Sequence, residues 1–349
     1  MRVITTIPQG NVREAAAAAK DIEAKGFDGI VTQENKHDAF LPLAAAATVT
    51  DRVELATGIA ISFARSPMVA AQMSWDLCSS TNGRFVLGLG TQIKAHNEKR
   101  FSVPWSAPAP RMREYLQALR AIWNSWATGE RLRYEGNHYT FTLMTPNFTP
   151  PHTFTGLPKV TLAAVGPYMM NVAGEEADGV RLHPFCTRKY MEETIVPRIE
   201  AGLAKTGRSR ENFEISGGGF VATGPDDESV EKMLDWVRYR IGFYGSTPAY
   251  YPVLEAHGMQ ELGLKLNRMT KEGKWDQIAG EIPDDLLHLC CAVGRHDQIA
   301  SVIETRFGGI SDTLFASIST DIPSDFPPDL IQDIQRIPAA FSTHQAAAA

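Results

Sequence analysis

Val53-Glu54-Leu55-Ala56-Thr57-Gly58-Ile59-Ala60-Ile61 carries a single charged residue and shows no alternation of apolar and polar positions. A strand with one face in water alternates, because successive side chains point to opposite faces; a strand covered on both faces does not. Phe85-Val86-Leu87-Gly88-Leu89 has the same character. Both therefore read as strands of a parallel sheet with helices on each side, and helical segments are what separates such runs along the chain. Arg2 to Ile7 is a short β-branched strand, and Asn11 can cap a helix from Val12 to Lys25 that Gly26 ends. Asp28 to Gln33 is the next strand, followed by a helix near Leu41 to Val49. After Val53 to Ile61 a helix spans Met68 to Ser79 and stops near Asn82-Gly83. Arg84 to Gly90 and a helix over Met112 to Trp126 complete four β-then-α units in about the first 130 residues.

The alternation continues past a small hairpin at Tyr134 to Phe141. Strands are expected at Lys159 to Val165, Gly179 to Leu182, Phe213 to Ala222 and Thr313 to Ser319. Helices are expected at Tyr168 to Ala177, Arg188 to Lys205, from Asp227 on, and at Asp329 to Ile337. Eight units make a (β/α)8 TIM barrel; an open doubly wound sheet is the alternative. The chain has 349 residues, more than the roughly 250 a plain barrel needs. A single domain over residues 1–349 then carries insertions in its βα loops near 91–111, 130–158 and 243–285.

Composition narrows the class. The chain is 44% hydrophobic and 21% charged, which excludes a disordered protein. With 34 Lys+Arg against 40 Asp+Glu and no basic run, no nucleic-acid partner is expected. Met1 to Gly10 has no apolar core of a signal peptide, and no stretch of about 18 apolar residues could span a membrane, so a cytoplasmic protein is expected. Cys78, Cys186, Cys290 and Cys291 form no CxxC pair and read as buried free thiols. No metal site is expected: Glu34, His37, Asp38, His96 and Glu98 lack ligand spacing.

In a barrel the site lies at the C-terminal ends of the strands. That rule selects Gln33 to Asp38 after strand two, Ala60 to Arg65 after strand three and Gly88 to Gln92 after strand four. It also selects Val165 to Pro167 after strand five and His183 to Phe185 after strand six. Gly88-Leu89-Gly90-Thr91-Gln92 is either a tight strand exit or a close approach to a ligand, and it lacks the further glycine of a dinucleotide fingerprint. Ala164-Val165-Gly166-Pro167 leads a strand into a helix whose first amides could face an anion, or is a plain βα turn. Gly217-Gly218-Gly219 admits close packing of a cofactor ring or of a neighbouring side chain.

The order of these features resembles the luciferase-like superfamily, in particular its coenzyme F420-dependent oxidoreductases. The resemblance is carried by Gly26-Phe27-Asp28-Gly29-Ile30, Leu55-Ala56-Thr57-Gly58 with Arg65-Ser66-Pro67, and Gly83 to Thr91. Gly166-Pro167 followed by Ala173 to Gly179 completes it, over nearly the whole chain. It implies an enzyme binding F420, or alternatively FMN, across the barrel mouth, with a non-proline cis bulge behind the ring that would involve Thr57 to Ile61 and make Thr57, Gly58, Ile59 and Ala60 cofactor-binding residues. Gly90, Thr91 and Gln92, with His96 and Asn97, would touch the polyol chain, and Ala164 to Pro167 would hold the phosphate. Lys94, Lys99 and Arg100 would meet a polyglutamate tail, or simply form a solvated face.

Family members often place Asp-His or Glu-His at the end of strand two; here the pair reads Glu34-Asn35. Asn exchanges no proton at neutral pH, so an acid–base role would pass to Glu34, His37, His96 or His183. The implied reaction is hydride transfer between the deazaflavin and a small, mostly apolar carbonyl, alcohol or activated alkene, under a lid of Phe63, Trp105, Phe185, Tyr250 and Tyr251. An FMN-dependent monooxygenase is the alternative, and a non-catalytic flavin-binding subunit, favoured by Asn35, is the third reading. Relatives are often dimers, so the resemblance implies a homodimer as well as a small-molecule substrate.

Overall fold

Eight parallel strands close on themselves: β1 (Arg2–Thr6), β2 (Gly29–Thr32), β3 (Glu54–Thr57), β4 (Phe85–Gly90), β5 (Lys159–Ala164), β6 (Gly179–Leu182), β7 (Glu214–Gly217) and β8 (Thr313–Phe315). Each pairs with its neighbours in chain order, and β8 returns to β1, with Arg2 opposite Thr313. The structure, a computed structural model, describes residues 1–317 and 326–341. The expected end of strand eight at Ser319 lies outside the described residues. Strands β2, β3, β4, β6 and β7 are buried at every position, as strands covered on both faces must be. No helix among the described residues is long and apolar enough to cross a membrane. All four cysteines are buried and free.

Local chemistry sets the helix ends. Asn11 accepts the Arg13 N–H at 3.0 Å, and Gly26 leaves the same helix with φ 94°, a conformation glycine adopts without steric cost. The long helix expected from Arg188 to Lys205 contains a π turn at Met191–Ile195. Pro197 follows it and has no N–H for the carbonyl four residues back, so the hydrogen-bond ladder changes register just before it.

Two expected strands are broken. Val53 to Ile61 divides into β3 and a two-residue strand, Ala60–Ile61, joined through a cis Gly58-Ile59 peptide. The bulge implied by the family resemblance therefore falls at that bond. Three glycines make room for it. A Cβ on Gly58 would lie 2.3 Å from Val31 Cγ2, one on Gly88 1.8 Å from the Thr57 carbonyl oxygen, and one on Gly90 2.8 Å from the Ile59 side chain. The Thr57 hydroxyl ties the junction, donating to the Gly88 carbonyl at 2.7 Å while accepting the Gly88 N–H at 2.9 Å.

The second break is in Phe213 to Ala222. Gly217 and Gly218 take φ of 80° and 105°, and Phe220–Ala222 leaves the barrel to pair with Cys291–Val293, a strand the sequence did not suggest. The three glycines face Phe315, Met191 and Arg306 in turn, so their room is used by neighbouring side chains. The insertion near 243–285 folds into helices Tyr251–Glu255 and Gln260–Lys271.

The close approach at Gly88 makes a stability prediction. Gly88→Ala forces a methyl group into backbone and should cost about 3 kcal/mol or prevent folding, whereas Gly166→Ala, whose Cβ meets nothing within 4 Å, should stay within about 0.5 kcal/mol of the parent. Urea denaturation of both variants decides; equal midpoints would contradict this account of the bulge.

Candidate active site

At the C-terminal rim of the barrel lies a cavity of about 1090 Å³. Its wall comprises Gln33 to Asn35 beyond β2, the bulge at Gly58 and Ile59, Gly90 to Gln92 at the end of β4, and Ala163 to Gly166. Arg181 to Pro184 from β6 and the strand end beyond it, Phe315 from β8, and Tyr244, Thr247, Ala249 and Tyr250 from the seventh loop region add to it, as do Ala107 to Pro110 and the helix residues Tyr168 and Glu175. The rim is open and the volume exceeds that of many small-ligand pockets, enough for three fused rings with a tail.

Of the residues expected from the sequence, the structure brings Glu34, Asn35, His183, Gly58, Ile59, Gly90, Thr91, Gln92, Ala164, Val165 and Gly166 into this wall. Six others lie outside it. Thr57 and Ala60 are fully buried in the junction behind the bulge. Asn97 is also fully buried, where its side-chain amide donates to the Thr91 and Ile93 carbonyls at 2.9 and 3.1 Å and so shapes the loop. His96 is exposed on the helix Lys94–Lys99, away from the wall. His37 is exposed on the loop after β2, its ring about a van der Waals distance from where a Gly10 side chain would be. Pro167 opens the helix Pro167–Glu176 and contributes no amide. Of the expected lid, only Tyr250 reaches the cavity. Phe63 lies under Arg111, 4.3 Å from guanidinium carbon to ring centre, and Tyr251 packs against Gly263. Lys94, Lys99 and Arg100 also stay off the wall; the basic residues on it besides Arg181 are Arg113 and Lys205, both paired with Glu175.

Glu34 is engaged twice through one carboxylate oxygen. Its Oε2 accepts the Ile61 N–H at 2.7 Å and the Arg65 guanidinium at 2.6 Å, while Arg65 also holds Asp38 at 3.0 Å. Burial opposes the Arg65 charge, but the hydrogen bond and charge of Glu34 outweigh it and raise its pKa. Glu34 thus clamps the strand that resumes after the bulge. The same contact explains His37: with Glu34 turned back to β3 and Asp38 capping the Phe40 and Leu41 amides, the residues between them loop outward.

His183 is different. Its Nδ1 accepts the Phe185 N–H at 3.0 Å, which leaves the ring proton on Nε2. Tyr244 and Tyr250 pack against the ring with centroids 4.1 and 4.6 Å away, and burial pushes its pKa down to about 3. His183 is therefore a neutral donor across the physiological range.

Arg181 is the group the sequence reading missed. Its Nε donates to Thr161 Oγ1 at 2.8 Å, yet both terminal nitrogens are buried without a hydrogen-bond partner among the described residues. Burial lowers its pKa, offset in part by Glu214 and Glu54. A charge within the short buried strand Gly179–Leu182 was the available signal, since arginine is seldom fully buried without a reason. On the adjacent strand, where Ala163 lies opposite Arg181 in register, Gly166 leads into a ten-residue helix whose first amide, that of Tyr168, and positive dipole end lie at the cavity. Open space stands where a Gly166 side chain would be. A buried cation and an open helix N-terminus on neighbouring strands suit a ligand with electronegative atoms and an anionic group.

Comparison with known proteins agrees with this architecture. The chain matches the luciferase-like monooxygenase family over residues 2–312 and belongs to it. It is 48% identical over 298 residues to an uncharacterised protein of Mycobacterium tuberculosis, covering 85% of this chain and 88% of that one. It is 26% identical over 324 residues to the 5,10-methylenetetrahydromethanopterin reductase of Archaeoglobus fulgidus, covering 90% and 92%. In structure it is similar to the coenzyme F420-dependent tetrahydromethanopterin reductase from Methanopyrus kandleri, with a TM-score of 0.76 and 20% identity over 96% and 97% of the two chains, a likeness of fold.

The His183 geometry is directly measurable. A long-range ¹H–¹⁵N NMR map should show the Nε2–H tautomer, unprotonated from pH 8 down to about pH 4. Because the folded pKa is depressed, the unfolded chain takes up this proton first, and stability should fall as pH drops from 6.5 towards 3. A His183 titration near 6.5 would contradict the assignment.

Proposed function

We propose that the chain is an F420-dependent oxidoreductase that moves a hydride between the deazaflavin and a small, mostly apolar organic substrate. One observation carries the reading: a single cavity joins the Gly58-Ile59 bulge to the open helix start at Gly166. The resemblance gives these the roles of ring bed and phosphate seat, and the reductase relatives support F420 as the coenzyme.

The residues divide the work by their chemistry. Gly58 and Ile59 offer a flat backbone surface for a ring, and Thr91 and Gln92 offer polar atoms for a polyol chain. Val165, Gly166 and the Tyr168 amide would take the phosphate, where the helix dipole favours negative charge. When bound, the deazaflavin supplies hydride chemistry, with carbon in place of the nitrogen through which flavins react with oxygen. Glu34 shapes the bed by holding Arg65 and the Ile61 amide through one carboxylate oxygen. Asn35, exposed at the rim, can hydrogen-bond a ligand but exchanges no proton at neutral pH. His183 supplies a neutral N–H donor at the far side. The apolar wall from Ile59, Leu182 and Tyr250 suits a mostly apolar substrate body.

The family's description as monooxygenases favours FMN as the second reading. Fluorescence titration of the purified protein separates the two. Coenzyme F420 is expected to bind at micromolar concentration and at least about tenfold more tightly than FMN. Gly166→Asp should weaken F420 by about tenfold or more with its melting temperature unchanged, because it sets a negative charge beside the phosphate. Tight FMN binding with none for F420 would reject the proposal.

A further inference from the structure

We propose that His183 and Tyr250 form a two-donor site for one ligand oxygen, the carbonyl or hydroxyl oxygen of the substrate, and that Tyr250 exchanges the proton that the reaction requires at that oxygen.

The two residues come from distant parts of the chain. β6 delivers His183 to the rim, and the short 3₁₀ turn Pro248–Tyr250 of the inserted region delivers Tyr250. Their rings meet at 4.6 Å between centroids, inclined by 47°, and both line the cavity. Phe185 and Tyr244 buttress them, with centroids 6.0 and 5.7 Å from Tyr250. Because Nδ1 is spent on the Phe185 amide, the donor left on His183 is Nε2–H. Neither that nitrogen nor the Tyr250 hydroxyl has a hydrogen-bond partner among the described residues, and neither is sealed from solvent. Two neighbouring rings on a largely apolar wall, each with a donor that no protein acceptor takes, can meet an acceptor brought by the ligand.

The chemistry of the pair selects the oxygen. Both groups are neutral: burial keeps the imidazole unprotonated, and burial raises the phenol above its ordinary range. A carboxylate or phosphate is ordinarily met by Arg or Lys forks. Two neutral donors instead match a carbonyl oxygen in the ground state and strengthen their hold as it gains negative charge. The proposal rests on the hydride-transfer reading. In the reducing direction, a hydride from a reduced deazaflavin forms the new C–H bond and the C=O π pair moves to oxygen. The oxygen takes the Tyr250 proton, giving the alcohol and a tyrosinate. An alkoxide is a stronger base than tyrosinate, so the transfer runs downhill even from a phenol of raised pKa. Solvent then returns a proton to the tyrosinate. Alcohol oxidation is the reverse. Tyr250 thus fills the role that Asn35 cannot.

Cyclohexanone enriched with ¹³C at the carbonyl is the probe, added to the protein with and without coenzyme F420. In the parent protein the carbonyl resonance should move downfield on binding, as a hydrogen-bonded carbonyl does. Tyr250→Phe should lose a large part of that shift, raise the ketone dissociation constant about tenfold, and leave F420 affinity unchanged. With reduced F420 and a ketone that turns over, it should lower kcat roughly 100-fold. His183→Gln, which keeps an N–H donor, should retain more of the shift than His183→Leu. A carbonyl shift absent from the saturated parent, or equal in Tyr250→Phe and the parent, overturns the proposal. If the shift and its loss are seen but F420 does not bind, the oxygen site stands and the F420 reading falls; the converse result leaves F420 and removes the site.

Discussion

The backbone of β3 leaves the barrel wall at Gly58 and rejoins it at Ala60, and the rest of the site is arranged around that step. It exists because glycines at three positions, one just beyond β3 and two in β4, make room for it at once. Val31 of β2 lies where a Gly58 side chain would be, the Thr57 carbonyl lies where a Gly88 side chain would be, and Ile59 lies where a Gly90 side chain would be. Close-packed interiors do not absorb such overlaps by small adjustments. The Gly88-Leu89-Gly90 motif is thus first a packing device. It lets Ile59 come forward to the cavity, whose wall Gly90 also joins.

Around that step the polar groups fall into two kinds. Glu34, Arg65, Asp38 and Thr57 are committed to one another or to backbone, and they hold the rim in place. The two terminal nitrogens of Arg181 are buried with no hydrogen-bond partner among the described residues, and His183 and Tyr250 line the cavity with donors that no protein acceptor takes. A buried polar group left unpaired costs stability, and arrangements such as that of Arg181 persist where a ligand completes them. This division separates scaffold from chemistry more sharply than residue type does. Glu34 looks like an acid and is a clamp; Tyr250 looks like an apolar lid and presents a donor.

Much of the barrel could be read from the chain because its signals are local. Continuous apolar runs mark strands covered on both faces, and Asn11, Gly26 and Asn82 end helices through their own side chains or backbone freedom. The breaks were not legible from local pattern, and the first was expected only through the family resemblance. Val53 to Ile61 is apolar whether the backbone runs straight or steps, and what forces the step is the register between strands. Cys291–Val293 is too short to show any period. At the site, the strand-end rule found the glycine and backbone contributors, whose positions follow from the barrel itself. It failed for His37 and His96, whose directions depend on how Glu34 and Asn97 fasten their loops. Tyr250 owes its place to an inserted segment that no barrel rule positions.

The central claim is that one cavity receives a tricyclic ring against the bulge and its anionic tail at the helix start. A crystal structure of the protein soaked with coenzyme F420 tests this most directly. The account predicts fused-ring density lying against Gly58 and Ile59, with a phosphate within hydrogen-bonding distance of the Gly166 or Tyr168 amide. Coenzyme bound outside the rim, with its phosphate held elsewhere and the bulge uncovered, would contradict it.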